Sequence, residues 1–247
     1  MWLFERHRNV YGWQWVLFGL SMAIITIVLI INFTSPRLDS FLGDFSDQCT
    51  WISKEKLLNE VQTGDVLLFE GDTYGERVMK WCTDSFFSHV SLVIRITNDQ
   101  ETKVYLWEAD LGQRKKEGPR LIELSEKFQR YRGNKVCGWR QLKGPSIDPR
   151  RFVPLIDKYL SFEMDHRVLT WWFSGWFTLF YPLFKTENKV FCSEFVALTL
   201  QELGIMKKDR LPSWYSPGDF YRNTDLSLEK GYSYGPIRFC RFQETSQ

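Results

Sequence analysis

The sequence predicts an α+β domain with an antiparallel sheet and a cysteine-bearing helix, preceded by one N-terminal transmembrane helix. Three observations carry that expectation. No charged residue occurs from Asn9 through Pro36. Short β-branched runs bounded by turn residues recur between residues 64 and 140. A segment with helical apolar spacing opens on Cys192. The chain has 247 residues, enough for one full-sized domain plus appendages. Its 44% hydrophobic and 25% charged residues are those of a globular fold rather than a disordered one. The net charge of +2 supplies no basic field for nucleic acid.

The N-terminal elements follow in order. Residues 1–12 form a tail and residues 13–34 the predicted anchor. Within it, Val16 to Ile31 is almost wholly apolar, and with its flanks it reaches the roughly 20 residues a spanning helix needs. Tyr11, Trp13 and Trp15 stand at its leading edge, where interfacial aromatics belong. A cleaved signal peptide would have a shorter apolar region and a small-residue cleavage site, and Asn32-Phe33-Thr34-Ser35-Pro36 has no such pattern. Arg6 and Arg8 precede the span and Arg37 follows it, so the charge bias points to a cytoplasmic N-terminus with the domain on the opposite side. Residues 35–50 read as a polar linker.

The domain itself spans residues 51–247. Ile52, Leu57, Leu58 and Val61 have helical spacing. Gly64-Asp65 turns the chain into an apolar strand over 66–71, and a short helix or turn follows over 75–83. His89 to Ile96 predicts a second strand, the Thr97–Gln100 cluster a turn, and Lys103 to Glu108 a third strand pairing back on the second. Arg114-Lys115-Lys116 reads as a solvated loop. Val136 to Arg140 predicts a further strand, residues 150–160 a helix, and Cys192 to Leu203 a helix stopped by Gly204. Residues 168–184 are uncharged and rich in Trp, Phe and Tyr. They contain Gly175 and Pro182 and read as domain core, with contact to a lipid surface as the alternative.

The candidate chemistry starts from Cys192. A thiol at a helix N-terminus sees the positive end of the helix dipole, which favours the thiolate. Buried structural cysteine is the plain alternative. A hairpin closed over Thr97–Gln100 pairs Ile96 with Glu101 and places His89 opposite Glu108, on one face of the sheet. A carboxylate beside an imidazole orients it and stabilises its protonated form. The residues thus assemble a nucleophile, a base and an orienting group. The five cysteines show no CxxC pair, and the three histidines lie far apart without a HExxH pattern, so neither a metal nor a cofactor is expected. In an oxidising compartment Cys49, Cys82, Cys137 and Cys240 could pair in three ways.

Gly64-Asp65-Val66-Leu67-Leu68-Phe69, then Ser88-His89-Val90-Ser91-Leu92-Val93, then Trp107-Glu108-Ala109, then Phe191-Cys192-Ser193-Glu194-Phe195-Val196 resemble the circularly permuted papain-like amidases of the NlpC superfamily, YiiX-like members above all. The match covers roughly residues 60–220 and includes Ser216-Pro217-Gly218-Asp219-Phe220. Its Cys block is also similar to that of the lecithin retinol acyltransferase-like proteins, which act on acyl lipids. The resemblance implies a permuted papain-like fold with Cys192 as nucleophile, His89 as base and Glu108 orienting it. The implied activity is a cysteine hydrolase cleaving an amide or ester, peptide, isopeptide or acyl lipid, at a membrane. A thiol acyltransferase and a non-catalytic binding or structural protein keeping the fold are the alternatives.

Overall fold

A computed structural model describes residues 16–30, 49–71, 73–98, 100–110, 117–130, 136–165, 188–222 and 226–241. The chain divides into two compact units, Met1–Ser35 and Pro36–Gln247. In the first, residues 16–30 form helix α1, whose apolar side chains, among them Leu17, Phe18, Ile24 and Ile27, are exposed. At 1.5 Å per residue the described part of this helix spans about 22 Å. Among the described residues no helix is long and apolar enough to cross a membrane. The remainder of the predicted 13–34 span, most of the linker, the Arg114–Lys116 loop and the aromatic 168–184 stretch lie outside the described residues.

The second unit is a mixed α+β domain built on a mostly antiparallel sheet. Its elements are β1 (Trp51–Ile52), α2 (Lys54–Glu60), β2 (Val66–Phe69), α3 (Tyr74–Thr83), β3 (His89–Thr97), β4 (Thr102–Asp110), β5 (Gly118–Glu123), α4 (Leu124–Arg130) and β6 (Val136–Arg140). They continue with β7 (Leu142–Lys143), α5 (Val153–Tyr159), β8 (Glu163–Met164), β9 (Lys189–Val190), α6 (Cys192–Glu202), α7 (Pro217–Tyr221), β10 (Ser233–Tyr234) and β11 (Arg238–Arg241). Among the described residues seven strands form the main sheet in the order β1-β11-β6-β2-β3-β4-β5, with β1 and β11 parallel and the other neighbours antiparallel.

Period-2 alternation divides the sheet's side chains between two cores. Val66, Leu68, Val90, Leu92, Ile94 and Trp107 pack with Phe195, Val196 and Leu200 of α6. Leu67, Phe69, Val93, Leu106, Cys137 and Trp139 pack with Leu57 of α2 and Phe128 of α4. This is why β2 and β6 read as continuous apolar runs: both faces are covered.

Local chemistry sets the element ends. Gly64 adopts φ +97° in the turn before β2, as the Gly64-Asp65 pair predicts. Buried Asp65 then accepts from Gln62 N (2.9 Å), Trp139 Nε1 (2.8 Å) and Leu142 N (2.8 Å), and burial still raises its pKa to about 6. Gly204, at φ +68°, closes α6 one residue past its C-cap. Buried Arg140 donates to the carbonyls of Gly235, Phe220 and Arg222, tying the segments around α7 and β10 to the sheet. The five cysteines form no disulfide, and Cys137 and Cys240 lie in register across β6 and β11.

Candidate active site

The β3–β4 hairpin differs from the expected register and preserves its consequence. Asn98 Oδ1 accepts from the N–H groups of Gln100 and Glu101, and Thr97 pairs with Thr102. Ile96 therefore pairs with Lys103, not Glu101. Carried along the strands, this register sets Glu108 opposite Ser91, two residues from His89, and brings Asp110 opposite His89. A two-residue slip leaves every side chain on its original face, whereas a one-residue slip would separate the pair.

His89 Nε2 lies 2.8 Å from Glu108 Oε2, and Ser91 Oγ donates to the same oxygen at 2.5 Å. His89 is the first residue of β3, so its ring stands at the end of the sheet, beside the N-terminus of α6. Cys192, the first residue of α6, contributes to raising the His89 pKa. Cys192 Sγ also lies 3.8 Å from the carbonyl oxygen of Ser88. The thiol is 2% exposed and the imidazole side chain 12%. Phe191, at the N-cap of α6, supplies no capping side chain. The structure brings His89 and Glu108 into contact and places Cys192 beside Ser88, the residue before His89.

Four further side chains complete the site. Arg120 of β5, the register partner of Glu108, donates from Nε (3.1 Å) and Nη2 (2.7 Å) to Glu108 Oε1 and also contacts Asp110. Lys127 of α4, 4% exposed, reaches both oxygens of Glu108 (2.9 and 3.0 Å) and Asp110 Oδ2 (3.1 Å), and sits over the Phe69 ring at 5.2 Å. The period-2 rule could have flagged Ser91 and Asp110, each two residues from a named site residue. Nothing local marks Arg120 or Lys127, because their roles depend on which strand and helix lie alongside β4.

The electrostatics follow from burial and these pairs. Burial alone would raise the Glu108 pKa, but Lys127, His89 and Arg120 hold it well below the ordinary value of 4.5. Burial and Lys127 push the His89 pKa down, yet Glu108 and the hydrogen bonds to Cys192 and Glu108 outweigh them and raise it to about 10. The stabilisation from His89 is therefore complete below its ordinary value of 6.5 and lost as pH rises through about 10. That from Glu108 is complete above 4.5 and lost as pH falls through its depressed value. Urea midpoints measured against pH are expected to fall at the alkaline end as His89 titrates and at the acid end as Glu108 is protonated, with a further fall as pH rises through about 6 from the raised pKa of buried Asp65. In His89→Ala the loss between 6.5 and 10 is expected to shrink; an unchanged alkaline limb would count against this assignment.

His89, Glu108 and Asp110 place three potential metal-ligand atoms within 4.8 Å of one another, across positions far apart in the sequence. They do not fit a metal ion. The Lys127 ammonium and the Arg120 guanidinium already occupy these carboxylates, and a dication among them would oppose two fixed positive charges.

The fold and site define a mixed α+β domain carrying a thiol, an imidazole and a buried carboxylate at one end of an antiparallel sheet. No family model matches the chain, and no curated protein does either. Among solved structures it is similar to the metalloprotein yiiX from Escherichia coli O157:H7, at 16% identity, over 71% of this chain and 89% of that chain, with a TM-score of 0.40. A likeness at that level carries no functional argument.

Proposed function

We propose that the protein is a membrane-anchored cysteine hydrolase of the permuted papain-like, YiiX-like class, cleaving an amide or ester through a thiol acyl-enzyme. The observation that carries this reading is the His89 imidazole held by buried Glu108 at 2.8 Å, with the Cys192 thiol at the start of α6 lying 3.8 Å from the carbonyl of Ser88, the residue before His89. In the first step the Cys192 thiolate attacks the substrate carbonyl carbon, an S–C bond forms, and the carbonyl π electrons move to oxygen. The backbone N–H groups at the uncapped start of α6 are suited to that oxyanion. Collapse breaks the C–N or C–O bond, and the leaving group takes its proton from the His89 imidazolium. Water then attacks the thioester and gives a proton to His89, and the freed acid leaves a thiolate–imidazolium pair. Glu108 holds the ring throughout and stabilises its charge.

The anchor is supported by the uncharged stretch from Asn9 to Pro36 and by the exposed apolar side chains of α1. Its two hydroxyls, Ser21 and Thr26, are satisfied within the helix by the carbonyls of Leu17 and Met22, as an apolar medium requires. An anchored enzyme would act on peptide or lipid amides and esters close to the bilayer.

The test is labelling of the full-length protein with a small thiol-reactive acylating probe across pH, wild type beside Cys192→Ser and His89→Ala. Labelling is expected on Cys192, persisting well below pH 8.5, the ordinary thiol range, and falling by about 10²-fold or more in His89→Ala. Labelling of Cys192 no faster than the other four cysteines would overturn the enzyme reading in favour of a binding module. In the same preparation, release of the chain from membranes by alkaline carbonate would overturn the anchor.

A further inference from the structure

We propose that Cys137 and Cys240 form a modification site, a thiol pair that closes to a disulfide under an oxidising thiol–disulfide poise and staples β11 to β6. The inference stands apart from the hydrolase reading. Cys137 of β6 and Cys240 of β11 are register partners on antiparallel strands. Both lie in the core formed with Leu57 and Phe128, so they project from one face of the sheet. Opposed Cα atoms in such a pair stand about 4.5 or 5.5 Å apart, and both spacings fall within the roughly 4.4–6.8 Å of disulfides. Opposed Cβ atoms stand about 4.5–5.5 Å apart, against roughly 3.5–4.5 Å in the bond, so closure asks for a small approach of the two strands.

The two thiols also act on each other. Cys240 and burial hold the Cys137 pKa well above its ordinary 9.0, and Cys137 lowers that of Cys240. Cys240 is therefore the thiol of the pair that gives up its proton first. Its Sγ also lies 3.6 Å from the carbonyl oxygen of Arg241. Cys192 packs in the opposite core and stands outside the pair. Of the three pairings the sequence leaves open, the register selects the one that joins 137 to 240.

The oxidant is a small disulfide of the glutathione class. The Cys240 thiolate attacks one of its sulfurs, a mixed disulfide forms, and one glutathione leaves as its thiolate. Cys137 then releases its proton and attacks Cys240 Sγ, the protein disulfide forms, and the second glutathione leaves. The two protein thiols lose two electrons and two protons, and the oxidant becomes two glutathione thiols. Both cysteines are buried, so this exchange takes place when β11 parts from β6 or before it docks. β11 has four residues and its other neighbour, β1, has two, so that opening breaks few hydrogen bonds. The bond closes a loop of about a hundred residues, long enough to remove much of the unfolded chain's freedom. In a reducing compartment the pair stays as thiols.

The experiment uses the reduced full-length chain in detergent. It is equilibrated with mixtures of glutathione and glutathione disulfide, with and without urea below the unfolding midpoint, so that slow opening of β11 does not hide the product. After acid quenching and alkylation of the remaining thiols, the unreduced digest is read by mass spectrometry. A peptide pair joined through Cys137 and Cys240 is expected, with Cys192 outside the linkage. The oxidised chain is expected to melt roughly 5–10 °C above the chain reduced with dithiothreitol. Cys240→Ala is expected to abolish that difference.

Recovery of both residues as thiols with and without urea would overturn the proposal. So would Cys240 carrying glutathione with no closure onto Cys137, or either residue joined to Cys49, Cys82 or Cys192. An oxidised chain that melts no higher than the reduced one would overturn the staple. If Cys240→Ala does not fold, Cys137→Ala is the control, and if neither folds the wild-type digest decides.

Discussion

Glu108→Ala is expected to destabilise the protein by about 3–5 kcal/mol, the range for removing one partner from a buried ion cluster. Glu108 is fully buried and accepts from His89, Ser91, Arg120 and Lys127. Alanine leaves His89, Arg120 and Lys127 without the carboxylate they share. The neutral, isosteric Glu108→Gln keeps the volume but replaces one acceptor oxygen with a donor that points at other donors, so its loss is expected to be smaller yet still well above 1 kcal/mol. Both variants are also expected to slow Cys192 labelling by at least about 10²-fold, because the ring loses the group that orients it. Urea denaturation of the two variants gives the first number and the acylating probe the second. A Glu108→Ala protein as stable as wild type would mean that the ion cluster does not form as described.

Trp107→Ala is the second large effect, about 3–5 kcal/mol by the cavity it would open. Trp107 is fully buried between the sheet and α6, with its ring 4.8 Å from that of Phe195 and its Nε1 donating to Thr199 Oγ1 at 3.2 Å. The side chain thus fills the space beneath the helix that carries Cys192 and bonds to its third turn. Loss of this contact is expected to lower Cys192 labelling as well, since the seat of α6 sets where the thiol stands relative to Ser88 and His89. Trp107→Phe retains most of the volume, and the expected cost falls to about 1–2 kcal/mol for the lost hydrogen bond and packing. The order wild type, Phe, Ala in denaturation midpoint checks the assignment, and equal midpoints for Phe and Ala would refute it.

Much of the core was legible from single stretches of sequence. The apolar run after Gly64-Asp65, the β-branched run from His89 and the helical spacing from Cys192 to a glycine stop all became elements close to the expected bounds. β5 and β11 were not anticipated. Gly118–Glu123 alternates weakly and includes Pro119, and Arg238–Arg241 is short, so neither carries a strand signal of its own. Both are strands because a neighbouring edge offers them hydrogen-bonding partners, β4 for one and β1 and β6 for the other.

By itself the sequence determined the elements whose signal is local: the uncharged stretch near the N-terminus, the turns at Gly64 and Gly204, and which residues of each strand share a face. It also set His89 and Glu108 on one face, because a hairpin slip of two residues does not alter parity. Only the tertiary structure decided that Arg120 and Lys127 converge on Glu108, and that Asp110 joins them. Those contacts join two neighbouring strands and the helix that follows them. They arise from sheet order and register, which are set by burying two apolar faces at once rather than by any short run of residues. The ion cluster around Glu108 is therefore a property of the fold, while the shared face of His89 and Glu108 was already readable in the chain.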